Sequence, residues 1–99
     1  MRTLSIETPT HGRVLVRDVV EPAAVVVGFH GYTENADIQM QRLLQLPNSE
    51  RWTLVSVQGL HRFYRGRSED VIASWMTRED RELMIADNIE YASRAIEAL

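Results

Sequence analysis

Ala23-Ala24-Val25-Val26-Val27-Gly28-Phe29 is apolar on both faces. It does not alternate, so it reads as a strand buried on both sides in a parallel sheet. A helix is disfavoured, because the run is short, rich in valine and followed by glycine. His30-Gly31-Tyr32-Thr33-Glu34-Asn35 comes next, then a helical pattern from Ala36 to Leu46. Asn35 is the expected N-cap, with Ile38, Leu43 and Leu46 on the buried face. Pro47-Asn48-Ser49 stops this helix, and Trp52–Val57 is a further buried strand.

Upstream, Leu4 and Ile6, then Val14 and Val16, alternate like two strands. Pro9-Thr10-His11-Gly12 between them predicts a hairpin, and Glu21-Pro22 closes its second strand. Downstream, residues 58–76 read as one long loop, a feature often tied to function. Thr77 and Asp80 have the spacing of a capping box for a last helix. Glu79 and Asp80 place negative charge at that helix's positive end. Ile85, Ile89, Ala92, Ile96 and Leu99 form one apolar stripe, and Glu90 with Arg94 an i, i+4 pair. Nothing caps its C-terminus. The order strand, strand, strand, helix, strand, helix is that of an open α/β sheet.

A length of 99 residues fits one domain. Without cysteine the chain has no disulfide, thiolate nucleophile or cysteine-ligated metal. The formal charge of −3 offers no attraction to nucleic acid or an anionic membrane. All 11 cationic side chains are arginine, which we attribute to codon usage. No targeting segment is visible, and the longest apolar run, 23–27, is too short to span a bilayer. A cytoplasmic protein is expected. His11, His30 and His61 lack ligand-like spacing, so no metal site is expected. Gly28-Phe29-His30-Gly31 does not complete a dinucleotide fingerprint.

Gly28-Phe29-His30-Gly31-Tyr32, directly after a buried strand, resembles the oxyanion-hole strand end of α/β-hydrolases. Ser74-Trp75-Met76 before the charged start of the last helix is similar to the phospholipase/carboxylesterase group of serine esterases. Trp52–Val57 and Gln58-Gly59-Leu60 fit the same template. The resemblance covers nearly the whole chain and maps to the N-terminal half of that fold. It implies a three-layer α/β/α sheet and hydrolysis of small-molecule carboxylic esters or thioesters through an acyl-serine, with no cofactor. It places an oxyanion donor at the Tyr32 backbone N–H, where one such donor is worth about 3–4 kcal/mol. Gly31 is expected to let the backbone turn sharply, and His30 to hold the loop. Phe63, Tyr64 and Trp75 are expected to line the substrate pocket.

The nucleophile elbow Gly-x-Ser-x-Gly is absent. Gly66-Arg67-Ser68-Glu69-Asp70 comes nearest, but has aspartate for the second glycine and follows a loop, so Ser68 reads as an ordinary loop serine. The family order of serine, acid, then histidine puts all three beyond Leu99. Residues 1–99 are then the N-terminal portion of a single domain, truncated before the elbow and inactive alone. Family topology sets Ala23–Phe29 beside the nucleophile strand, so its edge is expected to be open and to favour self-association. Two other readings remain. One is a complete, non-enzymatic interaction domain that binds a partner along that edge. The other concerns His61-Arg62-Phe63-Tyr64-Arg65-Gly66-Arg67, which is a solvated surface loop, a pocket lip, or a weak single-strand nucleic-acid binder. The acidic balance argues against the last.

Overall fold

The central strand of the protein is β3, Trp52–Gln58, and the other elements are placed by it. In a computed structural model describing residues 1–99, β1 (Arg13–Arg17) pairs antiparallel with one edge of β3 and β2 (Ala24–Phe29) parallel with the other. The register sets Val14 against Val57 and Val27 against Val55. Thr53 to Gln58 are all buried. Alternation along β3 sends Leu54 and Ser56 to one face, Val55 and Val57 to the other.

Helix α1 (Ala36–Leu44) covers the first face. Met40 and Leu43 pack on Leu54, flanked by Leu15, Val26 and Trp52. Buried Ser56 and Gln58 of β3 both bond the start of this helix. Ser56 Oγ donates to the Ala36 carbonyl at 2.7 Å, and Gln58 Oε1 accepts from the Ala36 N–H at 3.2 Å. Asn35 caps the helix as expected, its Oδ1 accepting from Ile38 N–H at 2.9 Å. Helix α2 (Arg81–Glu97) covers the second face, through Ala95 and Tyr91 against Val55 and Val57. The chain is thus a small mixed α/β protein with two sheets and two helices. No helix is long and apolar enough to cross a membrane.

Several expectations are corrected. Residues 1–12 form no strand, so there is no N-terminal hairpin; β1 takes the open edge of β3 instead. Gly12 is not a hairpin turn residue but a point of close approach: a Cβ there would lie 2.1 Å from the Tyr91 ring. The run Ala23–Phe29 is not buried on both sides, because β2 is an edge strand with Val25 53% exposed. In α1 the buried row is Ala36, Met40 and Leu43, an i, i+4, i+7 series, and Ile38 and Leu46 lie outside it.

Residues 58–76 are not one loop. His61–Tyr64 (β4) and Val71–Ser74 (β5) form a second, two-stranded antiparallel sheet. It joins the loop after β2 where Ala73 N–H donates to the Glu34 carbonyl at 2.8 Å. The capping box does not form: Asp80 takes a left-handed conformation (φ 52°) and makes no side-chain cap bond, and Thr77 Oγ1 accepts from Glu79 N–H instead. On α2 the expected stripe faces partly outward, with Ile89, Ile96 and Leu99 exposed. The small Ala95 admits the helix to the sheet, and Tyr91 fixes its rotation. Arg94 and Glu90 make no ion pair; Arg42–Glu34 is the one the structure contains.

Candidate functional site

The loop after β2 is held from three sides. His30 is buried, with both ring nitrogens engaged. Nε2 accepts from the Gly59 N–H at 2.9 Å, so the proton must sit on Nδ1, which donates to the Gly31 carbonyl at 2.7 Å. With no free nitrogen, this imidazole is a clamp and not a general base. Gly59 is required where it stands, since a Cβ would lie 2.6 Å from the Ser74 backbone carbonyl oxygen.

Trp75 forms the second clamp. Its indole stacks on His30 with centroids 5.1 Å apart and meets Phe29 edge-on at 5.7 Å. Its Nε1–H donates to the His30 carbonyl at 2.8 Å, and its own carbonyl accepts from Asn88 Nδ2 of α2. The third clamp is Glu34. One carboxylate oxygen accepts from the Gly31 N–H at 2.7 Å, and both oxygens bond Arg42 of α1. The Arg42 bond, and next the Gly31 N–H, hold the Glu34 carboxyl down at about 2.

The sharp turn falls two residues later than expected. Gly31 is not left-handed, whereas Thr33 is, at φ 63°. Such a conformation is uncommon for a β-branched residue. Gly31 serves the loop by leaving room for the Glu34 carboxylate, 3.0 Å from where a Cβ would be. The Gly31 N–H is spent on that carboxylate, and the Tyr32 N–H makes no hydrogen bond within the chain. Tyr32 therefore presents a free donor from a clamped loop.

Beside it lies an open cleft of about 460 Å³. Tyr32 and Phe63 bring ring centroids to 6.4 Å on one wall. His61 and Ser74, directly opposed across β4 and β5, contribute from the hairpin. Thr77, Glu79 and Asp80 before α2, and Met84 within it, complete the lining. His61 Nε2 lies 3.1 Å from the Met84 sulfur. Of the aromatic residues singled out in the sequence, Phe63 lines this cleft, Tyr64 stands outside it and Trp75 buttresses the loop. Arg62, in the basic cluster, donates to the His11 carbonyl at 2.8 Å. No three His, Asp or Glu side chains gather to hold a metal.

Sequence reasoning missed Glu34, Arg42 and the floor of the cleft. Glu34 and Arg42 are eight residues apart across a loop and a helix start, a spacing no helix rule flags. Comparison of the chain with protein-family models, with curated protein sequences and with solved structures finds no match in any of the three.

Proposed function

We propose that these residues form the oxyanion-hole portion of a serine esterase of the phospholipase/carboxylesterase type, an α/β-hydrolase acting in the cytoplasm on carboxylic esters or thioesters. The observation that carries this reading is the free Tyr32 N–H on a loop fixed by His30, Trp75 and Glu34. A donor stabilises a tetrahedral oxyanion best when it is already in place, since reorganisation then costs nothing at the moment of reaction. The resemblance also calls for a nucleophile strand beside β2, and the outer edge of β2 is open. The acyl-serine, acid and base are residues these 99 do not contain, and the chain alone does not hydrolyse esters.

Reading the coding sequence past codon 99 tests the proposal. A frame that continues into a buried strand and Gly-x-Ser-x-Gly supports it, and a stop codon there rejects it. In that longer protein Tyr32→Pro, which removes this N–H together with the side chain, lowers kcat by about 10²–10³, with a far smaller loss in Tyr32→Ala, which removes the side chain alone.

The open edge favours a second reading, a non-enzymatic domain that pairs along β2 with a partner strand or with another copy of itself. Ala24–Phe29 carries no charge along that edge, and uncharged edges are prone to pairing. Sedimentation at rising concentration decides: a cooperative monomer throughout removes self-association.

A further inference from the structure

We propose that Thr3–Glu7 of a second copy of this chain adds as a strand to the open edge of β2. This rests on the second reading above and names its partner strand; it is independent of the Tyr32 reading.

The donor is Arg2-Thr3-Leu4-Ser5-Ile6-Glu7, which alternates polar and apolar residues. It belongs to no sheet, and Leu4 is 69% and Ile6 76% exposed. The chain is tied to the rest of the molecule from residue 11 onward. Arg62 bonds the His11 carbonyl, Gly12 meets the Tyr91 ring, and the Arg13 N–H donates to the Tyr91 hydroxyl.

The acceptor edge has two unlike sides. Val25, Val27 and Phe29 face α2, in register with Thr53, Val55 and Val57. Around α2, Tyr91 leans to β1, where it bonds Arg13. At about 100° per residue, Ala92, Ile96 and Ile89 lie on the opposite flank of Ala95 and overhang the edge of β2. Just past the helix, Leu99 shares a groove of about 400 Å³ with Val16 and Val25. Toward α1 the edge is polar. The Gln39 amide lies over Gly28, 2.9 Å from where a Cβ would be, and the Arg42 side chain is half exposed. A strand with one apolar and one polar row fits this edge. Leu4 and Ile6 would lie beneath α2, level with Val25 and Val27, and Thr3, Ser5 and Glu7 would face the α1 side.

Charge selects the direction. Parallel pairing brings Arg2 level with Ala23, toward Glu21, and Glu7 level with Gly28, toward Arg42. Antiparallel pairing would bring Glu7 toward Glu21, which repels it.

The chain cannot fill its own edge. β1 and β2 flank β3, so the place beyond β2 is three strand spacings from β1, about 14 Å. The four residues from His11 back to Glu7 reach about 14 Å only when straight. That straight path is blocked where the chain leaves β3 and β2 through Gly59 and His30. One added strand of this length, about 17 Å, is a small contact beside the roughly 800 Å² a side of a stable interface. Reciprocal exchange doubles it, so a two-fold pair is the assembly expected.

The test is sedimentation of the 99-residue chain at rising concentration, with Leu4→Ser/Ile6→Ser as the donor variant and Val25→Lys as the edge variant. Residues 4 and 6 are exposed, so the donor variant keeps the fold. Each variant should weaken association at least about tenfold. An equimolar mixture of the two should associate again, because the intact donor strand of one meets the intact edge of the other. Amides of β2 should gain protection from exchange as the wild type is concentrated. A wild-type monomer at every concentration overturns this proposal and the second reading together. Association that the donor variant leaves unchanged, or a mixture that stays monomeric, overturns this proposal alone and leaves β2 to pair otherwise. Concentration-independent protection of β1, the mark of an intrachain hairpin, overturns it as well. No outcome bears on Tyr32, which is read through kcat in the longer protein.

Discussion

The two helices are attached to the same sheet by different means. The shorter, α1, is held by apolar packing, with Ala36, Met40 and Leu43 buried, and its start is sewn to β3 through Ser56 and Gln58. The longer, α2, buries Ala95 alone and leaves Ile89 and Ile96 outside. Polar bonds from its inner row hold it instead. Tyr91 hydroxyl donates to the Gln58 carbonyl at 2.8 Å and accepts from Arg13 N–H at 3.1 Å, and Asn88 bonds the Trp75 carbonyl. An apolar stripe states what a helix is able to bury; the sheet it meets decides what it does bury.

The sharpest way to break this contrast is to truncate one apolar side chain on each helix. Leu43→Ala should cost about 2–4 kcal/mol in urea unfolding, by lost burial plus a cavity. Ile96→Ala, at an exposed position, should cost under about 0.5 kcal/mol. Comparable losses would mean that α2 packs as α1 does.

A smaller effect is expected from the polar attachment. Tyr91→Phe keeps the ring against Gly12 and removes the hydroxyl, leaving the Gln58 carbonyl and Arg13 N–H without it. We expect a loss of about 1–2 kcal/mol and faster amide exchange along α2, with α1 unchanged. Burial raises the Tyr91 phenol above its ordinary 10.0, so alkali should release α2 only once pH passes that raised value. Asn88→Ala should cost about 1 kcal/mol and shift the Trp75 indole resonance, since it frees the carbonyl of that residue.

The smallest effect concerns the clamp on the loop. The folded Glu34 carboxyl titrates at about 2 against an ordinary 4.5. Its contribution to stability is therefore complete above about 4.5 and lost as pH falls through about 2. The Gly31 amide resonance should titrate with that low midpoint. Arg42→Met, which removes the main cause of the depression, should move the midpoint up toward the ordinary value. An unmoved midpoint would assign the depression to the Gly31 N–H instead.

Much of the three-stranded sheet is legible in the sequence. Trp52–Val57 is rich in β-formers, its apolar residues broken only by the small Thr53 and Ser56, and Asn35 before an amphipathic segment marks the start of α1 to the residue. The hairpin β4–β5 is not legible, because His61-Arg62-Phe63-Tyr64 neither alternates nor carries aliphatic residues, and it pairs by backbone while staying exposed. The rotation of α2 is hidden for a related reason: Asn88 and Tyr91 look polar in sequence, so the isoleucines draw the eye to the wrong face. In the loop, His30-Gly31-Tyr32 is a readable motif. The carboxylate that spends the Gly31 N–H, and so leaves that of Tyr32 free, depends on Glu34 and Arg42 meeting in space.

The strand order has a consequence for how the chain is born. β1 and β2 are adjacent in sequence, yet neither pairs with the other; both wait for β3 to come between them. A ribosome delivers the N-terminal residues first. Two valine-rich segments therefore emerge without a sheet partner, and the first ladder closes only once Trp52–Gln58 has cleared the exit tunnel. Pairings between distant segments form slowly. This interval, before any sheet exists, is when nascent chains are most open to capture by chaperones or by one another.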